Sequence, residues 1–193
     1  MQEANEDNTA WRRALRRDMV ARRAALSDAE HDALSARIVA HLIAALPAPQ
    51  VLAFCWPIKH EPDVRAIVPH WAGFGTQAAL PVVVGEDTPL AFRHWAPDTL
   101  LAPDRYGIPT PTAGEWMIPD LILLPLNGFD GAGYRLGYGG GYFDRTLAAL
   151  TPRPLAVGVG FEINRLPSIR PESHDQRLDW LVTEAGAVRV GGV

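Results

Sequence analysis

The chain has 193 residues, of which 48% are hydrophobic and 21% are charged, values typical of one globular domain. A formal net charge of −4 gives no overall attraction to nucleic acid or to anionic membranes. No apolar stretch approaches the length of a transmembrane helix, and the acidic start "MQEANEDNTA" does not resemble a signal peptide. The single cysteine, Cys55, favours a reducing compartment. We therefore expect a monomeric cytoplasmic protein with small-molecule substrates.

Two helical patterns open the chain after a segment, 1–10, that we expect to be a flexible tail; one domain would then cover 11–193. Residues 11–26 place apolar side chains on one helical face and arginines around the rest. Arg12, Arg16 and Arg23 fall within a narrow arc that could hold a phosphate chain, although such a stripe alone is more often a solvated face. "SDAE" at 27–30 is a capping box that begins a second helix, which ends near Pro47.

Short apolar runs rich in β-branched and aromatic residues follow, at 51–56, 78–84, 90–95, 121–126 and 155–161. Such continuous runs predict strands that are buried on both faces. Further helices are predicted from Asp63 to about Trp71 and from Tyr142 to Leu150. This alternation predicts an α/β fold. The connection 96–120 is long enough to suggest a functional loop.

The stretch 127–147, "NGFDGAGYRLGYGGGYFDRTL", follows a predicted strand and precedes a predicted helix, where open α/β sheets bind ligands. Its glycines at 137 and 139–141 let backbone N–H groups approach an anion. A Walker A motif is excluded because the single lysine, Lys59, is not followed by Ser or Thr. The dinucleotide fingerprint is excluded because Tyr142 stands where its last glycine belongs. A solvent-exposed turn would explain the glycines alone.

The charged neighbours of these glycines favour a metal–nucleotide site instead. Arg135 and Arg145 supply fixed positive charge, and Asp144 supplies an oxygen ligand suited to magnesium. In "SHDQRLDWLVTE" the residues His174, Asp175 and Asp179 are bunched without a second histidine or a cysteine at metal-ligand spacing. Pairing of Asp175 with Asp144 around one magnesium is the more economical hypothesis.

A predicted strand end, "FCWPIKHEPD", carries two further candidates. Glu61 could serve a ligand or could cap the helix predicted to start nearby, and the sequence leaves both open. Trp56 could be a ligand platform, although a core position is more common for tryptophan.

Together these motifs resemble the 5-formyltetrahydrofolate cyclo-ligase family. "GFDGAGYRLGYGGGYFDRTL" resembles the family signature. In the same order, "RRALRRDMVARRAALS" resembles its basic first helix, "WPIKHEPD" its strand-end glutamate segment, "YGIPTP" its Gly-Ile-Pro loop and "HDQRLD" its C-terminal motif. The resemblance runs from residue 11 to about residue 184.

The resemblance implies a three-layer α/β/α fold with a mostly parallel sheet, similar to the isomerase and CoA-transferase group. It also implies ATP- and Mg²⁺-dependent conversion of 5-formyltetrahydrofolate to 5,10-methenyltetrahydrofolate, through a phosphorylated formyl intermediate, with release of ADP and phosphate. Nucleic acid and membranes are not expected partners.

The family pattern, carried over residue by residue, implies four sets of site residues. Catalytic roles fall to Glu61, Arg135, Tyr142 and Arg145. ATP binding falls to Arg12, Arg13, Ala14, Leu15, Arg16, Arg135, Leu136, Gly137, Tyr138, Gly139, Gly140, Gly141, Tyr142 and Phe143. Folate contacts fall to Trp56, Glu61, Tyr138, Gly139, Gly140, Gly141 and Tyr142. Magnesium ligation falls to Asp144 and Asp175.

Three positions depart from that pattern. Some relatives carry lysine where this chain has Gly140 and where it has Arg12, and a family threonine is replaced around Val64. One alternative is therefore a folate- or nucleotide-binding protein of the same fold with impaired catalysis. A nucleic-acid role for the arginine-rich helix is a weaker alternative that the net negative charge opposes.

Overall fold

The computed structural model describes residues 2–190, with side chains described for 7–190. Its helices are α1 (Gln2–Ala24), α2 (Asp28–Ala45), α3 (Ile67–Ala72) and α4 (Tyr142–Ala149). Its strands are β1 (Val51–Ala53), β2 (Gln77–Val82), β3 (Ala91–Trp95), β4 (Leu101–Pro103), β5 (Pro109–Pro111), β6 (Trp116–Met117), β7 (Leu121–Pro125), β8 (Gly128–Asp130), β9 (Arg135–Leu136), β10 (Leu155–Val159), β11 (Arg165–Leu166), β12 (Trp180–Thr183) and β13 (Gly186–Arg189).

An eight-stranded sheet in the order β13-β12-β10-β7-β1-β2-β3-β6 forms the centre of the fold. The five strands from β12 to β2 are parallel, and the strands at both edges are antiparallel. A small sheet, β11-β8-β9, and the hairpin β4-β5 lie outside it. Each of the five apolar runs that predict strands overlaps one strand of the central sheet.

Alternation along the central strands directs side chains into two cores, as period-two geometry requires. Leu52, Leu121 and Leu123 belong to the core that packs on α2 and α3. Ala53 and Ile122, their neighbours in sequence, belong to the opposite core, which packs on α4. The predicted three-layer α/β/α arrangement with a mostly parallel sheet is confirmed.

The helix boundaries agree with local signals at α2 and differ at α1 and α3. Ser27 and Glu30 form the predicted capping box at the start of α2. In contrast, α1 begins at Gln2, so the segment assigned to a flexible tail is helical over residues 2–10, and Met1 lies outside the described residues. Asn8 Nδ2 donates to Glu172 Oε1 at 2.7 Å, which ties this part of the helix to the rest of the fold. The predicted boundary at residue 10 is thus not a boundary of secondary structure.

Helix α3 begins at Ile67 rather than at Asp63. The intervening residues form tight turns, in which Ile67 N donates to Val64 O at 3.0 Å and Val68 N to Arg65 O at 3.1 Å. The Asp63 carboxylate accepts hydrogen bonds from Arg65, both from its backbone and from its side chain. Because the aspartate is engaged with a residue two positions on, it stabilises a turn instead of the first turn of the helix.

Candidate active site

A cavity of about 500 Å³ lies where the parallel strands β1, β2 and β7 reach their carboxyl ends. This is the edge at which open α/β sheets bind ligands. Trp56 and Glu61 from the segment after β1 line it, as does the whole run 135–144. The connection 96–120 contributes Tyr106 and its neighbours, in agreement with the predicted functional loop. The chain therefore brings most of its predicted site residues to one place.

Helix α1 presents alternate sides of its basic segment to the cavity and to solvent. Arg12 and Arg16 line the cavity, whereas Arg13 and Ala14 are exposed and Leu15 is half-buried, and none of these three lies in the cavity wall. Residues four apart share a helical face, and the residues between them point elsewhere. Of the five residues of α1 in the predicted ATP-binding set, Arg12 and Arg16 line the cavity and the other three do not.

Arg16 is held against the glycine loop, which we define as residues 137–141. Its Nε donates to Gly137 O at 2.9 Å, and its Nη atoms have no protein partner among the described residues. Gly139 has φ +98°, and a Cβ there would lie 3.2 Å from the Arg16 guanidinium carbon. Only glycine combines this backbone conformation with so close an approach. Burial, followed by repulsion from Arg12, lowers the pKa of Arg16. An anion placed beside these arginines would relieve that repulsion.

Arg135 and Asp144 form an ion pair at the cavity wall, with Arg135 Nη2 3.0 Å from Asp144 Oδ1. Arg135 Nη1 also donates to Gln176 O at 2.9 Å, and Gln176 N donates to Asp144 Oδ1 at 2.9 Å. The hairpin β8–β9 places the arginine, and the first turn of α4 places the aspartate. Burial lowers the pKa of Arg135, and the nearby Asp144 opposes that effect.

Asp175 is bound to Arg12 in the same wall. Its Oδ2 accepts hydrogen bonds from Arg12 Nη2 at 2.5 Å and from Glu172 N at 2.7 Å. Desolvation alone would raise the pKa of Asp175, but hydrogen bonds from Arg12 and Glu172 outweigh it and lower that pKa. Asp179 lies elsewhere: its Oδ2 accepts from Arg153 Nη1 and from Ala156 N, both at 2.7 Å. The structure thus places Asp175 at the cavity and Asp179 away from it, whereas the sequence could not rank the two as metal ligands.

The two aspartates at the cavity suit a hard cation only in part. Asp144 Oδ2 and Asp175 Oδ1 accept no hydrogen bond from the described residues, so each carboxylate has one oxygen available. No group of three or more His, Cys, Asp or Glu side chains that could hold a metal ion occurs among the described residues. Magnesium commonly uses one or two carboxylates together with substrate phosphates, so two carboxylates in one cavity wall suit a metal that arrives with a nucleotide.

Glu61 is buried beneath the glycine loop, with 3% of its surface exposed. Its Oε1 accepts from the Tyr138 hydroxyl at 2.6 Å, and its Oε2 accepts from Ile58 N at 3.1 Å. The nearest following helix starts at Ile67, so Glu61 does not cap it, and the helix-cap alternative is wrong. Burial raises the pKa of Glu61, while the bond from Tyr138 opposes the rise. Burial also raises the pKa of the Tyr138 hydroxyl.

Aromatic side chains flank this carboxylate and the cavity mouth. Trp56 lines the cavity, so it is a wall residue and not a fully buried core residue. The Arg65 guanidinium carbon lies 4.7 Å from the centre of its ring. The Tyr142 hydroxyl lies 3.0 Å from that of Tyr106. That contact raises the pKa of Tyr142.

Arg145, a predicted catalytic residue, lies behind the glycine loop and outside the cavity wall. Its Nη2 donates to Gly140 O at 2.5 Å, and its Nη1 lies 3.6 Å from Asp87 Oδ1. One turn into α4, the side chain folds back over the loop that precedes the helix. Arg145 therefore holds the loop through Gly140 O, and its predicted catalytic role stays a prediction.

Two residues near the cavity, Tyr106 and Arg23, were not predicted from the sequence as site residues. Tyr106 lies in the recognised "YGIPTP" segment but was given no role, and its proximity to Tyr142 depends on a contact 36 residues away. Arg23 was assigned to the same stripe as Arg12, yet it is 1% exposed and bonded to the Tyr138 hydroxyl at 2.7 Å. The sequence signal for Arg23 was its position in the same basic stripe as Arg12 and Arg16.

Comparisons with known proteins agree with this geometry. A family model described as the 5-formyltetrahydrofolate cyclo-ligase family matches residues 8–184. A 5-formyltetrahydrofolate cyclo-ligase of Mycolicibacterium smegmatis is 34% identical over 140 residues, covering 66% of this chain and 70% of that protein. One from Mycoplasma pneumoniae is 28% identical over 174 residues, covering 89% and 97%.

Solved structures extend the similarity to three dimensions. An NMR structure of a 5,10-methenyltetrahydrofolate synthetase from Aquifex aeolicus has a TM-score of 0.79 at 30% identity and covers 94% of each chain. A 5,10-methenyltetrahydrofolate synthetase from Mycoplasma pneumoniae has a TM-score of 0.73 at 26% identity, covering 90% of this chain and 98% of that one. No helix within residues 2–190 is long and apolar enough to cross a membrane.

Proposed function

The chain belongs to the 5-formyltetrahydrofolate cyclo-ligase family, and on that premise we propose that it converts 5-formyltetrahydrofolate and ATP to 5,10-methenyltetrahydrofolate, ADP and phosphate. As a family member it is a ligase of folate one-carbon metabolism. The main observation in support of the full reaction is that one cavity contains candidate groups for both substrates. Two arginines of α1, the run 135–144 and Asp175 meet there with Trp56 and Glu61. Positive charge for a triphosphate and an aromatic, carboxylate-bearing pocket for a pterin thus lie side by side.

The chemistry requires two bond exchanges. The formyl oxygen attacks the γ-phosphorus of ATP, and the bond from that phosphorus to ADP breaks. N10 of the folate then attacks the activated formyl carbon, the carbon–oxygen bond to phosphate breaks, and N10 loses its proton. Much of the catalysis in such transfers comes from positioning and charge stabilisation.

The nucleotide is bound between α1 and the glycine loop in this proposal. Arg16 has unpaired Nη atoms, and the neighbouring Arg12 adds a second positive charge. Backbone N–H groups of 139–141, directly before the N-terminus of α4, can bind phosphate oxygens. Arg135 orients Asp144 through its ion pair, so its part is to position the wall. These contacts hold the γ-phosphate toward the folate half of the cavity.

The folate is bound against Trp56, with its reacting end toward Glu61. Trp56 provides a flat face beside the carboxylate. Because burial raises the pKa of Glu61, this carboxylate is a better proton acceptor than an exposed one, and it can take up the N10 proton at ring closure. Tyr138, which donates to Glu61, keeps that carboxylate in place.

Asp144 and Asp175 would hold Mg²⁺ through their available oxygens. A bound magnesium ion would neutralise charge on the phosphates as the γ-phosphoryl group is transferred. The other oxygen of each carboxylate is fixed by an arginine, Arg135 or Arg12, which restricts the directions that the free oxygens can take.

The departures from the family pattern have structural counterparts. A Cβ at residue 140 would lie 2.9 Å from the Tyr142 ring, so that ring occupies the space a side chain would need. Val64 is 4% exposed and packs in the core with α2 and α3. Neither change removes a residue from the cavity wall, and we therefore favour the active enzyme over the impaired binding protein.

The test is the appearance of methenyltetrahydrofolate absorbance with purified protein, 5-formyltetrahydrofolate, ATP and magnesium. We expect the signal to disappear when ATP or magnesium is withheld in turn. Calorimetric folate binding without any absorbance change would favour the impaired binding protein, and absence of both would contradict the proposal.

A further inference from the structure

Arg23 is almost completely buried behind the cavity wall, where it contacts Tyr138, with 1% of its side chain exposed. It uses all three guanidinium nitrogens. Nε donates to Lys59 O, Nη1 to Asn127 Oδ1 and Nη2 to the Tyr138 hydroxyl, each at 2.7 Å. A guanidinium can satisfy three differently placed acceptors in this way because its donors form a rigid planar fork.

Each of the three acceptors lies on a different segment around the site. Lys59 belongs to the segment after β1, where it and His60 adopt left-handed conformations with φ of 48° and 60°. Asn127 joins β7 to β8, and Tyr138 belongs to the glycine loop. Left-handed backbone is uncommon for non-glycine residues, so an external hydrogen bond to Lys59 O helps to hold it. Arg23 therefore links α1 to three segments near Glu61: the one after β1, the β7–β8 junction and the glycine loop.

The connection from Arg23 to Glu61 passes through one hydroxyl. Tyr138 OH accepts from Arg23 and donates to Glu61 Oε1 at 2.6 Å, while Arg23 Nη2 itself lies 3.8 Å from that oxygen. A tyrosine bonded in this way has a fixed hydroxyl direction, and its ring in turn faces Lys59 Nζ at 5.0 Å.

We infer that Arg23 is a positioning residue for folate turnover, which orients the Tyr138 hydroxyl and the Glu61 carboxylate without contacting the nucleotide. This inference rests on the function proposed above. It differs from the sequence-based expectation that Arg23 extends the phosphate-binding stripe of Arg12 and Arg16. Under this inference, Arg12 and Arg16 bind the nucleotide, and Arg23 acts on the folate side of the site.

The electrostatic surroundings of Glu61 give the inference a measurable signature. The charged or titratable groups around it are Tyr138, Arg23, Lys59 and Cys55, and His31 Nε2 is bonded to its backbone carbonyl at 2.8 Å. Burial dominates and raises the pKa of Glu61, whereas Tyr138, Arg23 and Lys59 lower it. Weakening the Arg23–Tyr138 link should therefore raise that pKa further and move the acid limb of kcat/KM for folate to higher pH.

The principal experiment is steady-state kinetics of Arg23→Lys over a range of pH. Lysine keeps the positive charge but cannot reproduce the three-way fork. We expect the KM for folate to rise about tenfold or more, since the pocket loses a hydrogen bond in a charged network, while the KM for ATP changes by less than about twofold. We also expect the acid limb to move upward. Arg22→Lys, an exposed neighbour on the same helix, is the matched control and should change neither quantity.

Folded Arg23→Lys protein with an unchanged acid limb, or with equal rises in both KM values, would overturn the inference, because a merely structural residue would behave in that way. Thermal unfolding checks the fold. If Arg23→Lys does not fold, Tyr138→Phe decides instead, since it removes only the bridging hydroxyl. A raised folate KM with a shifted limb supports the inference, and an unmoved limb refutes it.

Glu61→Gln separates this inference from the proposed function. Wild-type protein that forms no methenyl product would refute the proposed function itself. Wild-type turnover with unimpaired Glu61→Gln would refute the role of Glu61, and the inference with it. Wild-type turnover and impaired Glu61→Gln, together with normal folded Arg23→Lys, would refute the inference alone.

Discussion

Replacing Asp144 by alanine removes the carboxylate that faces a nearly buried guanidinium, so we expect lower stability as well as loss of magnesium-dependent turnover. The Arg135 side chain is 4% exposed and that of Asp144 is 21% exposed, with 3.0 Å between Nη2 and Oδ1. In the variant Arg135 keeps its hydrogen bond to the Gln176 carbonyl and loses the one to Asp144, and Gln176 N loses its acceptor.

The size of the effect follows from the burial of this pair. Removing one partner of a fully buried ion pair costs about 3–5 kcal/mol; with Asp144 partly exposed we expect about 2–3 kcal/mol. For a domain of this size, that corresponds to a fall in Tm of about 4–12 °C. Asp144→Asn keeps an oxygen acceptor for Gln176 N and should lose less stability, although it should lose metal-dependent turnover equally.

The assay combines thermal unfolding with the methenyl absorbance measured over a magnesium titration. The double variant Asp144→Ala/Arg135→Met removes the uncompensated charge and should recover most of the lost stability without recovering activity. Unchanged turnover in folded Asp144→Ala would refute the metal role. A Tm equal to that of wild type would refute the argument from the buried charge.

Three further variants test other parts of the site and the fold. Arg16→Ala should raise the KM for ATP about tenfold and leave the KM for folate nearly unchanged, because Arg16 lines the cavity with unbonded Nη atoms, which we propose bind the nucleotide. Gly140→Lys should displace the Tyr142 ring, which a Cβ would approach to 2.9 Å, so we expect weaker folate binding instead of improved ATP binding. Glu162→Gln should cost about 0.5–1 kcal/mol at neutral pH, because the partly exposed carboxylate pairs with Arg165.

Controls make these outcomes specific. Arg17→Ala alters an exposed arginine of the same helix and should leave both KM values unchanged; an effect equal to that of Arg16→Ala would place the nucleotide elsewhere. Gly131→Lys puts the same side chain where a Cβ would meet nothing within 4 Å, so a similar loss of folate binding there would contradict the Tyr142 explanation.

The Glu162 prediction has a defined pH dependence. Its hydrogen bond from Arg165, the largest influence, lowers the pKa of Glu162 below its ordinary value of 4.5. The pair therefore stabilises the fold above that value and loses its effect as the pH falls through the lowered pKa. We expect wild type and Glu162→Gln to differ in the free energy of unfolding near neutrality and to converge in acid, and a constant difference would contradict the assignment.

Local patterns in the sequence predicted the main helices, five strands of the central sheet and the outline of the site. The capping box at Ser27 begins α2 because its two hydrogen bonds involve residues only three apart. Continuous apolar runs form the central strands because a parallel sheet covered by helices buries both faces of each strand. Arg12 and Arg16 share a face because helical geometry alone requires it.

Tertiary contacts decided what chemically similar residues do. Arg23 lies in the same helical arc as Arg12, yet eleven residues advance it about 16 Å along the axis, where it meets different segments of the fold. Asp175 and Asp179 are equivalent as sequence, and only packing brings one to Arg12 and the other to Arg153. Glu61 is a ligand candidate and not a helix cap because the chain turns tightly before α3.

The sequence by itself determined the main helices, five central strands, the glycine loop and the identity of the family, since each depends on residues close together along the chain or on a long motif. The tertiary structure decided which arginines of α1 reach the cavity and which one bonds to the Tyr138 hydroxyl beside Glu61, which aspartate reaches the cavity, and that Arg145 lies outside the cavity wall. Those assignments depend on contacts between residues far apart in sequence, such as Arg23 with Tyr138, and no local period or spacing specifies them.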